Sequence, residues 1–275
     1  MNIWPIALFS LLAATAAHAQ VTEVDAGQWH TCALLTGGAI KCWGYNYNGQ
    51  LGDGTTTDST TPVDVSGIST ATSIALGNSH SCALLTGGAV KCWGENDYGQ
   101  LGDGSTIDST NPVGNGVDST TPVDVSGITT AISIGVGGSR SCALLTGGAV
   151  KCWGIVGNGV LSSTPVDVSR ITTATSIGVA NDRACALLTG GTIKCWGYNG
   201  QGVLGDGTTY DGDITSPVDV SGISTATSIA LGSMHSCAVL TGAGRWISVP
   251  SPSSPLLLCP QHFTAPPVST AHECM

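Results

Sequence analysis

The 275-residue chain carries 18 acidic against eight basic side chains, a formal net charge of −10. It therefore has no basic stripe to grip a phosphate backbone, and nucleic-acid binding is disfavoured. Thirty-nine glycines and eleven cysteines point to a turn-rich chain suited to an oxidising compartment.

The first segment, Met1–Gln20, has an apolar run closed by Ala17-His18-Ala19. This reads as a secretory signal peptide spanning 1–19, of bacterial type, and sends the chain to the periplasm or the extracellular space. No later apolar stretch approaches the roughly 20 residues of a membrane-spanning helix, so no membrane span is expected.

From there a block recurs almost letter for letter: CALLTGGAIKCWG at Cys32–Gly44, CALLTGGAVKCWG at Cys82–Gly94 and Cys142–Gly154, and CALLTGGTIKCWG at Cys185–Gly197. A fifth copy starts at Cys237 and breaks off. Each block reads as a β-hairpin. With Cys32 opposite Cys42, Leu34 meets Ile40, and Thr36-Gly37-Gly38 forms the loop. Alternation then places the cysteines and aliphatics on one face and Ala33, Leu35, Ala39 and Trp43 on the other. A hairpin apolar on both faces has to sit between two neighbours, as a propeller blade does.

The same register puts Cys32 and Cys42, Cys82 and Cys92, Cys142 and Cys152, and Cys185 and Cys195 close enough for disulfides. Buried thiol pairs are the alternative. A metal site would need four ligands where each block offers two. Runs of the type SIALG (Ser73–Gly77, Ser228–Gly232) precede each hairpin, and TPVDVSGI runs (Thr61–Ile68, Thr121–Ile128) precede those. Counting a blade as PVDV run, SIALG run and hairpin gives three full blades, a first blade lacking its PVDV strand and a fifth lacking its last. Such a chain, with about five blades, is expected to form an open or partial ring, the alternative being a strained five-blade ring, and to be a fragment able to self-associate through its open blade edges.

The pattern read from Gly77 through Gly104, with W-G-x-N-x-x-G-Q-L-G complete at Trp43–Gly52 and Trp93–Gly102, resembles the regulator of chromosome condensation repeat. After Trp153 the signature is largely missing, and at Trp196–Gly205 it holds one extra residue. The resemblance covers residues 21–242 and implies an all-β propeller of four-stranded antiparallel blades, a fold whose members usually have seven. The superfamily also includes propeller-type β-lactamase inhibitor proteins. What the resemblance implies about function is little, because a superfold hosts many activities.

Several side chains invite a chemical reading. His30, His80 and His235 recur two residues before a cysteine, with Arg140 and Arg183 in the other copies. Arginine offers a metal no lone pair, so the position reads as structural. Trp43, Trp93, Trp153 and Trp196 read as inter-blade core rather than sugar platforms. The loops at Asp53, Asp103 and Asp206–Asp213 read as turns rather than calcium sites. No catalytic triad, phosphate loop or zinc-protease motif occurs, and no cofactor is implied.

The loops after KCWG vary greatly, the longest containing a duplication, DSTNPV at Asp108–Val113 and DSTTPV at Asp118–Val123. A constant scaffold with variable loops suits a binding protein. The chain is thus expected to be a secreted, non-enzymatic propeller whose loop face holds a protein or glycan. The alternatives are an inhibitor of a secreted enzyme, or a lyase or hydrolase with a site at the channel. Residues 243–275, with six of the chain's twelve prolines, read as a disordered or frameshifted tail.

Overall fold

The computed structural model describes residues 19–105, 118–157, 159–241 and 246–249. The signal-like segment, the DSTNPV duplication and most of the tail lie outside these residues. Five antiparallel sheets follow one another along the chain. The first blade is β1 (Val21–Ala26), β2 (His30–Leu35), β3 (Ile40–Gly44) and β4 (Ser59–Asp64). The second is β5 (Ala71–Leu76), β6 (His80–Leu85), β7 (Val90–Gly94) and β8 (Ser119–Asp124). The third is β9 (Ala131–Val136), β10 (Arg140–Leu145), β11 (Val150–Gly157) and β12 (Val160–Asp167). The fourth is β13 (Ala174–Val179), β14 (Arg183–Leu188), β15 (Ile193–Asn199) and β16 (Tyr210–Asp219). The fifth, three-stranded, is β17 (Ala226–Leu231), β18 (Ser236–Leu240) and β19 (Trp246–Val249).

The hairpins pair as their residues dictate: Cys32 faces Cys42 and Leu34 faces Ile40, and the same register recurs in the next three blades. The turn closes because Gly37 and Gly38 adopt φ of 95° and 87°, a region that costs glycine nothing. Four disulfides join Cys32–Cys42, Cys82–Cys92, Cys142–Cys152 and Cys185–Cys195, with Cα atoms 4.0–4.1 Å apart.

The phase of the blade differs from the sequence count. Each PVDV strand hydrogen-bonds back onto the preceding KCWG strand rather than opening the next unit, so Cys42 faces Val63 and Lys41 faces Asp64. The first blade therefore has all four strands. Ion pairs fix this register in four blades: Lys41–Asp64, Lys91–Asp124, Lys151–Asp167 and Lys194–Asp219, at 2.7–2.8 Å. Trp246–Val249 supplies the third strand of the fifth blade, with Cys237 opposite Ser248, because β18 leaves an edge of main-chain groups to be satisfied.

The apolar cores lie between blades. The first joins the disulfide face of blade one (Cys32, Leu34, Ile40, Cys42) to Ala83 and Trp93 of blade two, and three more repeat the scheme. The SIALG-type strands form the inner row, β1 against β5, β5 against β9, β9 against β13 and β13 against β17. At the start of the row the leading face of blade one is uncovered. Val24 is 46% exposed where its equivalent Ile74 in blade two is 4% exposed. Trp43 is only half-buried, whereas Trp93, Trp153 and Trp196 are fully buried. The described residues thus form an open arc of blades.

Candidate functional site

Two kinds of polar feature recur along this arc: buried relays inside the seams, and an exposed rim at the loop end. The histidines belong to the seams. His30 Nε2 lies 2.7 Å from Ser81 Oγ of the next blade, and Ser81 donates to the main-chain carbonyl of Gln50 at 3.1 Å. Trp93 Nε1 donates to the same carbonyl at 2.9 Å. The next seam repeats this with His80, Ser141, Gln100 and Trp153, at 2.9, 2.9 and 2.8 Å. Because the serine spends its proton on the carbonyl, the imidazole donates from Nε2, and Nδ1 of both rings has no partner. Burial pushes the pKa of His30 down to about 4 and that of His80 to about 3, the latter helped by His30. Both rings are neutral at physiological pH and are enclosed by protein.

Where the copies carry arginine, the seam changes. Arg140 Nε donates to the carbonyl of Ile155 in its own blade, and Ala184 stands where a serine would be. Arg183 spans to blade five, donating to the carbonyls of Ser233, Gly232 and His235 at 2.8, 2.9 and 2.7 Å. His235, in the last blade, is half-buried. His30, His80, Arg140 and Arg183 are therefore engaged within seams and do not converge on a common point, and no group of three or more metal-ligating side chains occurs among the described residues.

The asparagine and aspartate loops are turn chemistry. Asn46 receives Leu51 N on Oδ1 at 2.9 Å and donates to the carbonyls of Thr55 and Thr57, while Asp53 accepts from Thr55 N. Asp58 and Asp118 accept the main-chain N–H of Asn46 and Asn96.

The loop end of the arc is built from the turn before each CALL strand and the first residues after each KCWG strand. A main-chain bond ties them in every complete blade: Tyr45 N to Trp29 O, Glu95 N to Ser79 O, Ile155 N to Ser139 O and Tyr198 N to Asp182 O. Blade one alone presents an aromatic trio here. Trp29 is 60%, Tyr45 40% and Tyr47 72% exposed, and the two tyrosine rings stack at 6.4 Å. In blade two the same ground holds Glu95 and Asp97, with Asp118 beside them. Partial burial raises the pKa of Glu95 and Asp97, and neighbouring carboxylates add to it, Asp97 and Asp118 for Glu95 and Asp118 for Asp97. Sequence periodicity points to the recurrent tryptophans and not to Trp29, Tyr45 and Tyr47. Their signal was available, because other copies place Ser79, Ser139, Asp182 or Met234 where copy one has Trp29.

Two family models of the regulator of chromosome condensation (RCC1) repeat match the chain, one at residues 21–50 and 71–100, the other at 38–84, 88–144 and 191–239. Solved structures with the same fold include human WBSCR16, at 24% identity and a TM-score of 0.69 over 81% of this chain and 58% of that one. Yeast RCC1 (Prp20), solved bound to Kap60, matches at 20% identity and 0.69, over 83% of this chain and 56% of that one. The ectodomain of the Physcomitrella patens receptor kinase CR4 matches at 20% and 0.53, over 86% and 54%. The chain thus spans less than three-fifths of the length of these structures.

Proposed function

The chain belongs to the regulator of chromosome condensation (RCC1) repeat family, and from that premise we propose that it is an exported, non-enzymatic propeller arc that holds a partner protein at its loop end. The carrying observation is the exposed trio Trp29, Tyr45 and Tyr47, since clustered aromatics with a polar tip are the side chains that anchor interfaces. Glu95 and Asp97 on the neighbouring blade add negative charge, which favours a partner surface carrying lysine or arginine.

Export is supported by the signal-like N-terminus and by four disulfides, which persist in oxidising compartments. The fold occurs in the ectodomain of a receptor kinase. Among the described residues no helix is long and apolar enough to cross a membrane. The fold's binding use elsewhere is consistent with this reading, as yeast RCC1 (Prp20) was solved with Kap60.

The test is capture from the native extracellular medium by the full chain and by its Trp29→Ser/Tyr47→Ser variant. Both positions are exposed, so the variant keeps its fold, read by circular dichroism. Loss of the captured protein supports the reading, and unchanged capture overturns it. Capture of a glycan rather than a protein, on the same aromatic platform, would replace the partner class.

A further inference from the structure

In three of the four described seams, a leucine from the loop after KCWG closes the apolar core. Leu51 shares the first core with Cys42, Val63, Val65 and Trp93, and Leu101 shares the second with Cys92, Val123, Val125 and Trp153. Leu204 shares the fourth with Cys195, Val218 and Val220, and all three leucines are fully buried. In the third seam the chain runs on from Trp153 as the β11–β12 hairpin, and no leucine reaches this place. The equivalent side chains, Cys152, Val166, Val168 and Trp196, line a cavity of about 210 Å³ instead.

The same loop supplies main-chain carbonyls at the outer end of the other seams. The N–H groups of Ser66, Ser126 and Ser221, in the turn after each PVDV strand, donate to the carbonyls of Gly52, Gly102 and Gly205 at 2.9, 2.9 and 2.8 Å. The hydroxyls of Ser126 and Ser221 donate to the carbonyls of Asp103 and Asp206 at 3.0 and 2.9 Å. Ser169 is the equivalent serine of the third blade. It lines the cavity, and neither its N–H nor its hydroxyl meets an acceptor among the described residues.

Shape and charge limit what can enter. The inner end of this seam is filled by the buried guanidinium of Arg140, which stands against Gly197, so access is from the outer surface alone. There Val160 and Val166 form the mouth, 55% and 38% exposed. An apolar cavity of about 150 Å³ holds benzene, with its six heavy atoms, so about 210 Å³ corresponds to about eight. The walls offer valine methyls, the disulfide of Cys152 and the Trp196 ring, and the rim offers the two donors of Ser169. Asp167, paired with Lys151 at 2.8 Å, also stands at the rim, and with the net charge of −10 it disfavours a carboxylate guest.

We propose that the outer mouth of the seam between the third and fourth blades binds small neutral amides or esters with a branched aliphatic body. The body lies where the other seams hold a leucine side chain, and the carbonyl oxygen of the guest accepts from the N–H and the hydroxyl of Ser169. This site is separate from the aromatic trio on blade one and does not depend on the reading given for it.

The probe is N-isopentylacetamide, titrated into the full chain while its valine methyl signals are followed by NMR. The expected result is a saturable shift of the Val166 and Val168 signals, with Val123 and Val125, whose seam Leu101 fills, unmoved. N-methylacetamide, which carries the head without the body, should give no saturable shift. Ser169→Ala, at an exposed position that keeps the fold, should weaken binding about fivefold through the lost hydroxyl donor, and Val156→Phe, which fills the cavity from β11, should abolish it. Unmoved Val166 and Val168 signals at millimolar probe overturn the proposal. So do equal shifts at Val123, unchanged affinity in Ser169→Ala, or binding that survives Val156→Phe.

Discussion

His80 of the second blade and Ser141 of the third meet across their seam at 2.9 Å, and the serine passes its proton to the carbonyl of Gln100. The ring donates from Nε2 in this contact whether neutral or charged, but burial with no partner at Nδ1 disfavours the charged form and holds His80 at about 3 and His30 at about 4, against 6.5 for an exposed ring. A depressed pKa contributes stability that is present above the unfolded value and lost as pH falls through the folded one. The window is therefore from about 6.5 downward to 3–4. Glu23, Asp25 and Glu95, raised chiefly by burial, act in the opposite sense, so one variant isolates the histidine. His80→Gln keeps an N–H donor but cannot titrate. Its stability, from urea unfolding at pH 7 and pH 4.5, should fall less on acidification than that of the parent, by on the order of 2–3 kcal/mol at one pKa unit per 1.4 kcal/mol. Equal slopes would contradict the neutral relay.

The tryptophans give a paired comparison. Trp153 Nε1 donates to Gln100 at 2.8 Å, whereas Trp196 Nε1 has no acceptor. Replacing each by phenylalanine removes similar ring area but only one hydrogen bond. Trp153→Phe should therefore cost about 1 kcal/mol more than Trp196→Phe in chemical denaturation. A larger loss for Trp196 would show that its N–H is engaged.

Arg170 sits in the left-handed region at φ 62°, at the turn where the other copies have Gly67, Gly127 and Gly222 at 67–74°. A side chain there costs roughly 1–2 kcal/mol, offset in part by the entropy glycine adds to the unfolded chain. Arg170→Gly should raise stability by about 0.5–1 kcal/mol, read as a higher melting temperature. A fall would mean that the arginine makes compensating contacts.

The bare leading face of blade one, with Val24 and Val21 exposed at 46% and 56%, lies on a strand whose equivalents are covered. Exposed apolar surface on an inner strand favours association. Sedimentation of the full chain should show concentration-dependent self-association that Val24→Lys reduces. A compact monomer at all concentrations would speak against the face being available.

How much of this was legible in the sequence follows from how local each contact is. The hairpin register could be read because Cys32, Leu34, Ile40 and Cys42 lie within one short block repeated four times. The phase of the blade could not, because the PVDV strand is adjacent in sequence to the next SIALG strand yet bonds back across a long loop. Its signal was the recurrent Lys41 and Asp64 pair, constant in charge and distant in sequence. The seam relay was hidden for a related reason, since His30, Ser81 and Gln50 come from two blades. Its trace was a joint absence: the copy without G-Q-L-G is followed by the copy with Ala184 in place of serine. The aromatic trio carries no repeat signal, because Trp29, Tyr45 and Tyr47 do not recur together.

The most direct test of the loop-end account is site-specific photo-cross-linking in the native extracellular medium, with the photoreactive residue placed at Tyr47 in one protein and at exposed Thr61 on the outer strand β4 in another. The account predicts a discrete protein adduct from position 47 and none from position 61. Adducts from position 61 alone, or equally from both, would contradict it.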